Sequence, residues 1–244
     1  MSSLAPQLSE RLAAVGCQHP EQAAKNVESL ALDAETRSQL QAALPALLTG
    51  LRRVPDPDLA LNSLERFCQA VLDRRFLLGL FRDNPRVLHL ALTIFGSSQF
   101  LSDILVRHPL FFEWLLEPGI IREPKRKTDL AEEARQLVAA APSLERQWAA
   151  LRTFKAREIL RIGLQDLLGR QTLVGITEEL SNLADVVLQT AYGLCRAEVA
   201  RRHGPPQIVA ESPRLRECRF VILGMGKLGG QELNFSSDID LIFV

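Results

Sequence analysis

The sequence predicts an α+β fold: a large all-helical N-terminal region, residues 1–205, followed by the opening of a small sheet over residues 206–244. Three observations predict it. Up to about residue 203, Leu, Ala, Arg, Glu and Gln dominate and β-branched residues are sparse, which favours helix. The character changes at His203-Gly-Pro-Pro206, a cluster of helix breakers. Beyond it lie the first β-like runs, Arg219 to Leu223 and Asp238 to Val244. Because the chain stops inside the second run, the sheet domain is expected to be incomplete.

The helical region is punctuated by Gly and Pro at Gly16 to Pro20, Gly50 to Pro57, Asn84-Pro85, Gly96-Ser-Ser, His108-Pro109, Pro118 to Pro124, Ala141-Pro142 and Gly169. Asp56 followed by Pro57 reads as a cap with proline in the first turn, ahead of a helical run from Leu59 to Leu80. Lys125-Arg-Lys127 lies in a proline-bounded loop and is expected on the solvated surface. Leu144, Trp148, Leu151, Ile159 and Ile162 make one apolar stripe at helical spacing; Ile176, Leu180, Leu183, Val187, Ala191 and Leu194 make another. The short link from Gly169 to Thr172 predicts that these two long helices pack antiparallel. Such stripes are core, and no chemistry is assigned to them.

Composition removes several function classes. Apolar residues make up 47% and charged residues 24%, enough for a substantial core. Basic and acidic residues number 29 each, so net charge gives no case for nucleic acid or an anionic membrane surface. The N-terminus lacks a signal peptide's basic start and apolar centre, and no apolar run nears the roughly 20 residues that span a bilayer. Cys17, Cys68, Cys195 and Cys218 are scattered, without a C-x-x-C pair, so zinc is not expected; buried or half-buried thiols in a reducing, cytoplasmic setting are.

The chemistry-bearing stretch is Gly224-Met-Gly226-Lys-Leu-Gly229-Gly230, followed by Ser236-Ser-Asp238-Ile-Asp240. Gly224-x-Gly226-x-x-Gly229 after a strand is the dinucleotide-binding pattern. Only Gln231 to Ser237 separate the glycines from Asp238, however, too few residues for a packed crossover helix. A P-loop needs Ser or Thr after Gly226-Lys227, and Leu228 stands there. A nucleotidyltransferase site fits better. Glycine-turn amides offer themselves to phosphate, and Asp238 and Asp240, about 6–7 Å apart along a strand, point to one face, with Ile239 and Leu241 facing the core. Paired carboxylates suit two Mg²⁺ ions, which stabilise the attacking and leaving oxygens of an in-line displacement.

At these residues the chain resembles the family of bifunctional glutamine synthetase adenylyltransferase/adenylyl-removing enzymes, within the DNA polymerase β-type nucleotidyltransferase superfamily. The likeness rests on Gly224-Met-Gly-Lys-Leu-Gly-Gly230 and Asn234-Phe-Ser-Ser-Asp-Ile-Asp-Leu-Ile-Phe243. Leu151-Arg-Thr-Phe-Lys-Ala-Arg-Glu-Ile-Leu-Arg-Ile162, Glu178 to Asp185 and Arg107-His-Pro-Leu110 support it, so that it covers roughly Leu59 to Val244. The resemblance implies that the strands open a polymerase β-type sheet, with Asp238 and Asp240 as catalytic metal ligands and Gly226, Lys227, Gly229, Gly230 and Ser237 at the nucleotide phosphates. The superfamily usually has Gly-Ser at Gly226-Lys227, so lysine here would meet phosphate as a point charge. The third carboxylate would come from a strand beyond Val244.

The resemblance further implies Mg²⁺ as cofactor, ATP, ADP and phosphate as substrates or products, glutamine synthetase as protein substrate and a nitrogen-signalling regulatory protein as partner. The helical lead-in and Met1 match the family's N-terminal unit, which removes AMP from adenylyl-tyrosine by phosphorolysis, giving ADP; the full-length enzyme also adds AMP from ATP. Lacking the third carboxylate, the 244-residue chain alone is expected to show little activity. The competing class is a non-catalytic helical protein-binding module.

Other candidates are weaker. Arg152, Lys155, Arg157 and Arg161 share one predicted helix and could line a phosphate or protein groove, although Glu158 among them favours a solvated, ion-paired face. His108 reads as structural, and His19, His89 and His203 show no evident partner. Ser236 and Ser237 either orient the aspartates or serve the turn.

Overall fold

In the computed structural model, the described residues are 5–208, 216–218 and 220–244; Arg219, the first residue of the first expected strand, lies outside them. The fold is α+β, with eleven helices ahead of four short strands and a one-turn helix before the last strand. The described residues divide into two compact units between Ile120 and Ile121, inside the helical region.

The first unit holds α1 (Ala5–Ala13), α2 (Pro20–Ser29), α3 (Ala34–Leu51), α4 (Pro57–Ala70), α5 (Arg74–Asp83), α6 (Pro85–Ser97), α7 (Gln99–Arg107) and α8 (Leu110–Leu115). Its centre is aromatic: Phe67 packs on Phe95 and Phe112, with centroids 5.4 and 5.5 Å away, and Phe81 meets Phe112 edge-on. Asp56 caps α4 as expected, accepting from the Leu59 amide with Pro57 at the first position. The run expected from Leu59 to Leu80 is instead two helices. Val71 turns extended at ψ 137°, and Asp73 starts α5 afresh by accepting from the Phe76 amide. A single Asp without a proline carries that break, so breaker residues alone miss it. His89 also has a partner, its ring Nε2 lying 3.3 Å from the Ala46 carbonyl. His108 ends α7 and stacks on Phe111.

The second unit is built on α9 (Lys127–Ala139), α10 (Leu144–Leu167) and α11 (Leu173–His203). Ser143 and Thr172 cap α10 and α11 through their hydroxyls. Arg161, six residues before the end of α10, pairs with Glu179, six residues into α11, so the two helices run antiparallel as expected. Their stripes interlock: Leu151, Phe154 and Ile162 meet Ile176, Leu180 and Leu183, with Leu130, Ala134 and Val138 closing the core from α9. α11 ends at Gly204, whose φ of +82° suits glycine.

The expected solvated face around Glu158 is corrected by the structure. The ion pairs exist, but they are buried: Glu158 and Arg161 are both 0% exposed. Glu158 accepts from Arg161 at 2.8 Å and from Lys125 at 3.0 Å, and Arg161 continues to Gln165 and Glu179. Gln171 closes the circuit onto Gln165 and Glu179. Lys125, expected on the surface, therefore sits inside, while Lys127 reaches Asp185 and Arg126 remains exposed beside Asp129. Burial alone would raise the Glu158 carboxyl; the Arg161 and Lys125 charges outweigh it and hold it below its ordinary range.

Beyond α11, β1 (Gln207–Ile208) pairs antiparallel with β2 (Arg216–Glu217). β3 (Ile222–Gly224) leads through Met225 into α12 (Gly226–Gly229), and β4 (Leu241–Phe243) returns antiparallel to β3, with Leu223 opposite Ile242. Both strands are shorter than expected. The flanking pairs persist only as Val221–Val244 bonds and a Met225 amide donating to the Asp240 carbonyl at 2.9 Å. Cys17 and Cys68 are buried, whereas Cys195 and Cys218 are exposed, contrary to the expected burial. Burial pushes the Cys68 thiol up to about 12, so it stays protonated. Among the described residues no helix is long and apolar enough to cross a membrane.

Candidate active site

The glycine turn and the aspartates meet at one end of the β3–β4 ladder. Gly224 pairs with Leu241, and one step further the Met225 amide bonds the Asp240 carbonyl, so the turn leaves the ladder where Asp240 enters it. Gly226 takes a left-handed φ of +53° with its α-face against the Asp240 carboxylate; a Cβ there would lie 3.3 Å from Oδ2. Gly229 folds back so closely that a Cβ would stand 2.6 Å from the Gly224 carbonyl oxygen. These glycines make the turn possible, and the first-turn amides of Gly226, Lys227 and Leu228, as at any helix start, have no i−4 acceptor. Gly230 closes the turn through a 3.0 Å bond to the Gly226 carbonyl.

The turn is fastened to the helical core of its unit. Leu228 and Leu233 are buried in the α9–α11 cluster, with Phe235 and Leu241 packed against it. The Leu233 amide donates to the Ser181 hydroxyl of α11 at 3.1 Å. Between these anchors Asn234 organises the approach to the aspartates: its side-chain oxygen accepts from the Ser237 hydroxyl at 2.6 Å and from the Ser236 amide and hydroxyl. No hydrogen bond joins either serine to an aspartate; both bond Asn234 within the turn. Asn234 itself was missed as a structural determinant; an Asn two and three residues ahead of hydroxyl side chains is the Asx-turn signal that would have found it.

The structure brings four of the expected residues close together. Gly226 backs onto Asp240, and the Lys227 ammonium lies 3.4 Å from the Ser237 hydroxyl, next to Asp238. Asp238 does not open the strand as expected: β4 begins at Leu241, and Asp238 instead lines a cavity of ≈ 250 Å³ with Ser237, Asn234, Ile239 and the α10–α11 side chains Lys155, Ile159, Leu183 and Val187. Strand alternation therefore orders side chains only from Asp240 onward. Leu241 faces the core, whereas Ile239, expected inward with it, is 39% exposed at the cavity. Asp238 and Asp240 are exposed, and among the described residues neither forms an ion pair, so their oxygens stay available to a hard cation. No cluster of three or more His, Cys, Asp or Glu at metal-binding distance occurs among the described residues.

The turn and the carboxylate pair thus share one end of the ladder, and the known proteins that the chain matches are nucleotidyltransferases. A family model described as glutamate-ammonia ligase adenylyltransferase matches residues 88–244, and the chain belongs to that family. It is 33% identical over 242 residues to the bifunctional glutamine synthetase adenylyltransferase/adenylyl-removing enzyme of Chromobacterium violaceum, covering 96% of this chain and 26% of that protein. The enzyme of the same name from Mycobacterium tuberculosis strain H37Rv is 33% identical over 239 residues, covering 96% and 23%. That from Pseudomonas putida is 32% identical over 210 residues, covering 85% and 21%. The chain thus spans about a quarter of the length of the curated relatives it matches.

Proposed function

We propose that this chain carries nucleotide-handling machinery of an enzyme that moves AMP on and off glutamine synthetase and so regulates nitrogen assimilation. The observation that carries the reading is the back-to-back placement of Gly226 and Asp240 at one end of the β3–β4 ladder, with Lys227 reaching Ser237. Asp238 and Asp240 are the residues to hold Mg²⁺, with a further carboxylate supplied from elsewhere in the protein. Mg²⁺ bound there would offset phosphate charge and polarise the phosphorus being attacked. Gly226, Lys227, Gly229, Gly230 and Ser237 form the phosphate cradle: the turn amides donate, and Lys227 adds a cation. The names of the relatives supply the protein substrate and the two directions of transfer. For this unit we assign removal of AMP from adenylyl-tyrosine by phosphate, releasing ADP, with addition from ATP elsewhere in the full enzyme and a nitrogen-signalling protein selecting between them.

The test is Asp238→Asn and Asp240→Asn in the complete gene product, assayed for both reactions. Phosphate-dependent release of ADP should fall by roughly 10²–10³-fold, with addition from ATP retained and the melting temperature unchanged. Loss of addition alone would reverse the assigned direction. Loss of neither would sink the metal assignment and favour a binding module.

A further inference from the structure

Arg152, Lys155, Arg157 and Arg161 enter on equal terms as the basic residues of one helix, and the structure separates them. Arg161 ends on Glu158 and Glu179 inside the helical core, and Arg157 on Glu158 and the half-buried Glu133 at its edge. Arg152 is exposed and lies outside the cavity at Asp238. Lys155 lines that cavity together with Ser237 and Asp238. It forms no ion pair or side-chain hydrogen bond among the described residues, although a carboxylate lies in the same cavity.

We propose that Lys155 is a phosphate-binding residue of this site, a second cation delivered from α10 to the cavity in which Ser237 and Asp238 lie. The inference rests on the reading of Asp238 and Asp240 as metal ligands. Charge argues for it. A phosphate held beside a metal at the aspartates still carries negative charge on its outer oxygens, and Lys155 is a cation in the same cavity as Asp238 to meet it. Surroundings argue for it as well. Ile159, Leu183, Val187 and Phe235 wall the cavity, and Lys155 is the one cation among its described lining residues. A lysine committed to Asp238 would cancel the carboxylate; left apart, each remains open to its own ligand, anion or cation. The phosphate belongs either to inorganic phosphate or to the triphosphate of ATP.

In the complete gene product, Lys155→Ala and Lys155→Gln should raise KM for the phosphate-bearing substrate about tenfold or more, the scale of one charge-assisted contact. The kcat should change far less and the melting temperature little, because the side chain is exposed and has no ion pair or side-chain hydrogen bond among the described residues to lose. Lys155→Arg should restore most of the affinity, since it keeps the charge. A rise in KM for inorganic phosphate alone assigns the contact to the attacking anion; a rise for ATP alone assigns it to the triphosphate. Unchanged KM values for both, with Asp238→Asn inactive, overturn the role of Lys155 and leave the metal reading standing. Full turnover by Asp238→Asn overturns the metal reading itself, and the inference with it.

Discussion

Gly226 and Gly229 are irreplaceable for different reasons. Gly226 needs its positive φ and the space before the Asp240 carboxylate, whereas Gly229 needs room against a backbone oxygen that cannot move aside. Gly226→Ala places an L residue in the left-handed region at a cost of about 1–2 kcal/mol and crowds Oδ2. It should lower turnover sharply while thermal stability falls little. Gly229→Ala must push α12 off β3, so the melting temperature should fall more than for Gly226→Ala; the reverse order would mean that the turn is set by something other than these two contacts. The glycine spacing and the Asp pair were legible in the sequence because they act over short range. The role of Asn234 was missed, although the hydroxyls two and three residues after it carry the signal. Lys155 was legible only as one of four basic residues, since what distinguishes it is the cavity that two other segments form beside it.

At the scale of elements, α10 shows what a one-dimensional reading lacks. Glu158 and Arg161 sit three residues apart, and such a pair looks the same whether it faces water or a core. Glu179 and Gln171 come from the next helix and its lead-in, and Lys125 from the preceding loop; together they make burial tolerable by satisfying each charge. Arg161→Met leaves Glu158 and Glu179 short of a partner in a dry setting and should cost about 3–5 kcal/mol, measured by denaturant unfolding. A loss below 1 kcal/mol, the level of an exposed pair, would count against burial. The sign of the pH dependence follows from the lowered Glu158 carboxyl. Its contribution is complete above the ordinary carboxylate range and fades as pH falls through the lowered folded value, so Glu158→Gln should flatten the acid limb of the stability curve. The break at Val71 to Asp73 belongs to the same scale: one capping carboxylate decides it, with neither a proline nor a glycine to mark it.

Across the whole molecule, fold class and the helix-to-strand change were legible from composition, since Leu, Ala and charged residues give way to breakers and then to β-branched runs after His203. The division at Ile120 and Ile121 was not, because it depends on which helices bury which faces. The outer side of the β3–β4 ladder keeps Leu223 and Ile242 exposed as a cross-strand pair, so the ladder draws its support from the side that packs on α11. Leu228 belongs at once to the glycine turn and to the core of α9–α11. The turn therefore has no melting point of its own. On heating, the amides that would face phosphate should keep their positions until the three-helix core of their unit gives way.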